Sequence, residues 1–204
     1  MSSISISLQL AMKRLLDFVV AFLSLGLLLP FFLVIGLIIK LTSPGPIFYR
    51  WPVVGSGGRH LRAYKFRTMV VGADAMKRDL MAYNEAVGPV FKMRSDPRVT
   101  PIGRFLRKYS LDELPQLWNV LKGDMSLVGP RPVLKDEWAQ FTKEQRQKLT
   151  IKPGAVCLWH IKGQPRNLDD WVRLDIEYRD NWSLWLDLRI IIGTFKYIWA
   201  GKNC

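Results

Sequence analysis

The feature that most constrains this chain is an uncharged apolar run from Phe18 to Ile39, FVVAFLSLGLLLPFFLVIGLII, with a proline inside it. As one straight helix its 22 residues would reach ~33 Å, enough for a ~30 Å hydrocarbon core. Pro30 works against that reading, because it has no amide hydrogen and its ring crowds the preceding turn, so a kink belongs there. Each half is then about 12 residues, or ~18 Å, too short to cross alone. Cations flank both ends, Lys13 and Arg14 before, Lys40, Arg50, Arg59 and Arg62 after, whereas a single span usually concentrates positive charge on one side. The expectation is a re-entrant helical hairpin with both ends on the cytoplasmic side; a kinked single span is the alternative. The sequence after the run, Lys40 to Pro46, lacks the small-x-small pattern of a cleaved signal peptide. Asp17, at the edge of the run, is expected to pair with Lys13 or Arg14 one turn away.

At 204 residues the chain has room for one membrane element, residues 1–41, and one domain over 42–204. Its 30 Lys+Arg against 17 Asp+Glu leave a net charge of +13. Such an excess calls for a polyanionic neighbour, which can be nucleic acid, an anionic membrane face or phosphorylated small molecules. Cys157 and Cys204 stand far apart without a CxxC or Cys/His cluster, so neither a disulfide framework nor a zinc site is indicated. His60 and His160 are isolated and read as structural or surface residues. Nothing distinguishes Cys204 as a lipidation site.

Beyond the Ser43-Pro44-Gly45-Pro46 break, Ile47 to Val54 and Leu61 to Val71 read as strands of a hairpin turned by Gly55-Ser56-Gly57-Gly58. Ala73 to Val87 reads helical and is stopped by Gly88-Pro89. Thr100-Pro101 is an N-cap followed by N1, opening a helix with Ile102, Phe105 and Leu106 on one side and Arg104, Arg107 and Lys108 elsewhere. Helical patterns return over Leu134 to Leu149 and Leu168 to Asn181. From Trp182 onward, aromatics and aliphatics mixed with Arg189, Lys196 and Lys202 fit either a core helix or one lying in the headgroup interface.

In this basic setting the adjacent acids Asp112 and Glu113 stand out. Ser110 with Glu113 three residues later matches a capping box, so helix capping is a sufficient structural reading. Pro115 complicates it, since a helix from Leu111 would need the amide that proline lacks; a start nearer Asp112 is expected. Asp112, Gln116 and Asn119 then share a polar stripe at i, i+4 and i+7. A carboxylate at a positive helix end would stay ionised, which suits a nucleophile or metal ligand. In Gly129-Pro130-Arg131-Pro132, the prolines hold Gly129 and Arg131 extended. A stiff arginine of this kind is a bidentate phosphate ligand at low entropic cost.

Together, Lys13-Arg14-Leu15-Leu16-Asp17, Ser43-Pro44-Gly45-Pro46, Tyr64-Lys65-Phe66-Arg67-Thr68-Met69, the run from Asp112 to Pro132 (DELPQLWNVLKGDMSLVGPRP) and Lys152-Pro153-Gly154 resemble the bacterial sugar transferase family, the small monotopic phosphoglycosyl transferases. The resemblance covers residues 12 to 200. It implies an α+β membrane-associated fold: a re-entrant helix broken at a proline matching Pro30, a small helix-rich catalytic domain with a short β-hairpin, and interfacial amphipathic helices. Leu29 stands where many members carry serine before that proline. The resemblance further implies transfer of a phosphosugar from a UDP-sugar to undecaprenyl phosphate with release of UMP, through a phosphosugar-aspartyl intermediate on the residue matching Asp112. This would begin exopolysaccharide, O-antigen or glycoconjugate assembly at the cytoplasmic face of the inner membrane.

Magnesium is the implied cofactor, held by Asp112 and Glu113, and Glu113 can also serve as base for the lipid phosphate. Lys65 and Arg131 are the expected phosphate clamps, with Arg67, Arg104 and Arg107 as further contributors. Membrane lipids are expected partners, nucleic acid is not, and a homodimer is left open. Two other classes compete. A membrane-tethered nucleic-acid or anionic-lipid binding protein would account for the charge, although no nucleic-acid motif accompanies it. A conventional glycosyltransferase would release UDP rather than UMP, and no DxD-type metal motif supports one.

Overall fold

In the computed structural model, which describes residues 3–85, 91, 93–163, 165 and 167–199, one helix, α1, runs from Ser3 to Thr42 with Pro30 inside it. The expected division into two helices at Pro30 is not observed. A proline deletes one backbone donor, and the many remaining bonds of a 40-residue helix carry it past that gap. Only 11 % of the most apolar window of α1 is buried within the protein, which marks it as a membrane-associated helix rather than a core one.

The two flanks of α1 are nevertheless buried. Asp17 and Ala21 are enclosed on one side of the apolar stretch, Ile35 and Ile39 on the other, while Leu23, Leu27, Leu29 and Leu33 between them are exposed. Polar contacts hold the first flank. Asp17 accepts hydrogen bonds from Ser126 Oγ (2.8 Å) and the Leu127 amide (3.0 Å), not from the neighbouring cations. Lys13 pairs with Asp187 at 2.6 Å and also donates to the Val128 carbonyl. Arg14 donates to the carbonyls of Val120 and Leu121, 2.7 and 2.8 Å away. A pairing of Asp17 within its own helix loses because these tertiary partners are otherwise unsatisfied and buried, the costlier outcome.

Beyond α1, strands β1 (Phe48–Val54) and β2 (His60–Phe66) form the expected hairpin, in register from Phe48 opposite Phe66 to Val54 opposite His60. Its loop contains a 3-10 turn at Ser56–Gly58 in which Gly57 and Gly58 take positive φ, as a tight reversal requires. Two short helical pieces follow, α2 (Ala73–Met76) and a 3-10 turn at Met81–Tyr83, instead of one helix to Val87; the expected stop at Gly88-Pro89 lies outside the described residues. Helix α3 (Pro101–Lys108) starts as expected, Thr100 Oγ1 accepting from the Gly103 amide at 3.0 Å. A Cβ on Gly103 would lie 2.0 Å from the Thr68 carbonyl oxygen, so only glycine lets α3 approach this close.

A 3-10 turn at Leu111–Glu113 leads to α4 (Gln116–Lys122). Strand β3 (Ser126–Val128) pairs in parallel with β5 (Gly154–Val156), and β4 (Val133–Leu134) adds to β1, giving a sheet ordered β2-β1-β4. The single helix expected over Leu134 to Leu149 is instead α5 (Lys135–Ala139), α6 (Lys143–Arg146) and a 3-10 turn. Thr142 and Gln145 form a reciprocal capping box that starts a new helix where the old one would have continued. The remaining helices are α7 (Trp159–Lys162), α8 (Leu168–Asp180) and α9 (Leu184–Trp199). Asn167 caps α8, accepting from the Asp170 amide at 2.8 Å. Ala21 of α1 joins Val53, Ala63, Val120 and Met125 in one core cluster, and Ile35 and Ile39 join Phe66 and Leu106 in another. Asp17→Ala should orphan the Leu127 amide and cost about 2 kcal/mol, read as a lower unfolding midpoint in detergent.

Candidate active site

Asp112 and Glu113 lie in the turn that precedes α4. Ser110, the only described non-glycine residue with positive φ, at 51°, reverses the chain at the end of α3, and it makes no side-chain cap bond. The expected capping box is therefore absent. Pro115 occupies the N-cap position of α4, so the regular helix begins four residues after Asp112 and its first turn does not contain either acid.

The acids meet the cations of β2 and α3. Lys65 donates to Glu113 Oε1 and lies 4.0 Å over the Trp51 ring. Asp112 is 7 % exposed. Burial pushes its carboxyl up to about 6, opposed by Lys65 and Arg107 and reinforced by the charge of Glu113. This differs from the expected helix-end stabilisation, because desolvation acts on a carboxylate outside the helix. Burial alone would raise Glu113 as well, but the Lys65 ammonium, with Arg131 farther off, holds it below the usual carboxylate range.

Arg131 leaves the Gly129-Pro130 turn with its guanidinium 3.9 Å from the centre of the Trp171 ring and 3.7 Å from Glu137. Its amide donates to Asp175 Oδ1 at 3.1 Å, and Asp175 forms a buried ion pair with Lys148. Neither residue was marked by the sequence, since 27 positions and several elements separate them. Glu113, Gln116, Arg131, Trp159 and His160 line a cavity of about 40 Å³. Gln116 Nε2 and Trp159 Nε1 are buried donors without a partner among the described residues, and both residues line this cavity with a carboxylate and a guanidinium. His160 belongs to it rather than to the surface: it is buried, stacked on Trp159 at 3.8 Å, and its Nδ1 is 3.1 Å from the Cys157 amide. Burial depresses its pKa, which favours a neutral ring. No spacing in the sequence could have found it.

The other expected residues are placed differently. Arg67 donates to the backbone carbonyls of Ser43 and Pro44, so its guanidinium clamps the Ser43-Pro44-Gly45-Pro46 break onto the end of β2. Arg107 donates to Thr68 Oγ1 at 2.9 Å and is close enough to act on Asp112 by charge. Arg104 is exposed on α3 and is not brought to the acids. Asn119 leaves the supposed polar stripe: it accepts from the Tyr64 amide (3.0 Å) and donates to the Arg62 carbonyl (2.8 Å). Among the described residues no three His, Cys, Asp or Glu side chains form a metal-binding group. Two adjacent carboxylates still suit Mg²⁺, which commonly takes one or two carboxylates and completes its shell with water and phosphate oxygens.

The family profile described as bacterial sugar transferase matches residues 8–201. The chain belongs to the bacterial sugar transferase family. Among its relatives, the galactosyl transferase CpsE of Streptococcus agalactiae is 44 % identical over 198 residues, covering 96 % of this chain and 44 % of the relative. An undecaprenyl-phosphate galactose phosphotransferase of Salmonella typhimurium is 41 % identical over 194 residues, covering 92 % of this chain and 40 % of the relative. The exopolysaccharide production protein ExoY of Rhizobium meliloti is 39 % identical over 198 residues, with coverage of 94 % and 87 %. The chain thus spans less than half the length of the first two and most of the third. In this sugar transferase, Arg67→Ala should orphan two carbonyls and lower stability by about 2 kcal/mol, whereas Arg104→Ala should stay within about 0.5 kcal/mol; denaturant unfolding in detergent compares them.

Proposed function

We propose that this sugar transferase moves a sugar phosphate from a UDP-sugar to undecaprenyl phosphate and releases UMP, the first membrane step of an extracellular glycan. The observation that carries the reading is the desolvated Asp112 carboxylate, held beside Glu113 by the Lys65 and Arg107 charges. Relatives bear names that fit: one is a UDP-glucose:undecaprenyl-phosphate glucose-1-phosphate transferase from Xanthomonas campestris, 37 % identical over 200 residues.

In the proposed reaction an Asp112 oxygen attacks the β-phosphorus. The bond from that phosphorus to the bridging oxygen breaks, and UMP leaves with the electron pair. An oxygen of the lipid phosphate then attacks the same phosphorus and restores the Asp112 carboxylate. A carboxylate is a weak nucleophile, so removal of its water shell and neutralisation of the diphosphate are what the site must supply. With its pKa near 6, Asp112 is mostly ionised at neutral pH yet more basic than an exposed aspartate. Lys65 keeps Glu113 ionised beside it, and Arg131, stiffened by Trp171 and the Asp175 contact, is placed to hold a phosphate. Gln116 Nε2 and Trp159 Nε1 supply donors for ligand oxygens. Asp112 and Glu113 are the residues that would hold Mg²⁺, which would offset phosphate charge when bound.

Attachment of both flanks of α1 to the same domain supports monotopic insertion from the cytoplasmic face of the inner membrane. The exposed stretch from Phe22 to Val34 would enter one leaflet while Asp17 and Ile39 remain with the domain. Helix α9 fits an interfacial position: Trp185, Leu188, Ile192 and Phe195 are exposed along it and Asp187 turns inward to Lys13. Asp112→Asn should abolish UMP release while leaving the unfolding midpoint and membrane association unchanged; substantial retained UMP release would remove Asp112 as nucleophile. Single cysteines introduced at Gln9 and at the exposed Arg50, in a background lacking Cys157 and Cys204, should both be labelled by an impermeant maleimide from the cytoplasmic side. Labelling from opposite sides would establish a span instead.

A further inference from the structure

A second concavity, about 570 Å³ in volume, lies at the outer edge of β2 and contains neither Asp112 nor Glu113. Five cations line it: Arg59, Arg62, Lys122, Lys135 and Lys152. They come from the hairpin loop, β2, the end of α4, the start of α5 and the approach to β5, so the fold gathers them from separate parts of the chain. The one acid among the described lining residues, Asp124, is bonded to Lys122 at 2.6 Å. Among the described residues no carboxylate lies within ion-pair distance of Arg59, Arg62, Lys135 or Lys152. Uncompensated like charges around one hollow repel each other, a cost that an anionic ligand would reverse.

The hollow also has an address. Its wall includes Gly123, and the Arg14 guanidinium packs 3.1 Å from where a Gly123 Cβ would stand. Arg14 lies four residues before the apolar stretch of α1, so the hollow lies close to the segment by which that helix is fastened to the domain. With α1 inserted as proposed, anionic phosphate groups of the bilayer surface would lie near this level.

We propose that this basic hollow is an anion site, distinct from the catalytic carboxylates, that takes the phosphate of an anionic lipid headgroup. The shared chemistry is a phosphate group, which a soluble phosphate could also bring. The test uses the full chain in neutral detergent and reads thermal stabilisation on titration with dioctanoyl phosphatidylglycerol, dioctanoyl phosphatidylcholine or inorganic pyrophosphate. Phosphatidylglycerol should stabilise and phosphatidylcholine should not. Arg59→Gln/Arg62→Gln/Lys152→Gln should weaken the phosphatidylglycerol response by roughly 100-fold, from about a fivefold loss per cation. All three positions are exposed, and Lys152→Gln alone, with a smaller loss, serves if the triple variant is unstable. A pyrophosphate response that is equally lost, with no greater response to the lipid, would keep the anion site and assign it to a soluble phosphate. An unchanged response in the triple variant, or one removed by Lys65→Met instead, would overturn the proposal. The readout is binding, so failure of the proposed transfer activity would leave the result standing.

Discussion

The structure depends on how a greasy helix is fastened to a polar domain. Lys13, Arg14 and Asp17 sit within about one turn of α1 and each takes a partner in the domain: the Asp187 carboxylate, the α4 carbonyls, and the Ser126 hydroxyl and Leu127 amide of β3. Apolar contact alone would let α1 slide or rotate, because one aliphatic surface packs on another with little directional preference. Hydrogen bonds to three separate elements fix its rotation and depth together. Arg14 also binds the C-terminal end of α4, where a cation complements the helix dipole, while the turn that carries Asp112 and Glu113 leads into the opposite end of that short helix. The placement of α1 and that of the turn bearing the two acids are thereby set by one rigid connection.

The site itself is built from opposed costs. Burial raises Asp112, and the nearby cations limit that rise without removing it. Lys65 is engaged by Glu113 and packed on Trp51, so its charge is held in place before any ligand arrives. Arg131 is treated likewise by Trp171, Glu137 and the backbone contact to Asp175. Preorganised charge of this kind needs little rearrangement during reaction. The unsatisfied donors of Gln116 and Trp159 are the complementary sign of the same arrangement, groups whose partner is expected from outside the protein.

Much of the scaffold was legible in the sequence because the deciding forces are local. The Thr100-Pro101 start of α3, the glycine-rich hairpin turn and the apolar run each depend on a few adjacent residues. Pro30 was over-read, since a single missing amide does not outweigh a long helix. The helix expected over Leu134 to Leu149 failed for the opposite reason, a second start signal at Thr142 that competes with continuation. The acids and Arg131 stood out as candidates in their motif, but their environment did not: burial of Asp112, the engagement of Arg67 with a distant turn and the arrival of His160 are tertiary facts with no periodicity to betray them.

Asn119 illustrates how one amide can substitute for a strand. Its carbonyl and amino groups meet the Tyr64 amide and the Arg62 carbonyl on the free side of β2, offering the donor and acceptor that a neighbouring strand would have offered. An open sheet edge is an invitation to pair with another chain. Here the invitation is withdrawn at its middle by a side chain from the helix that follows the Asp112-Glu113 turn, so the sheet can stay three-stranded when it meets another copy.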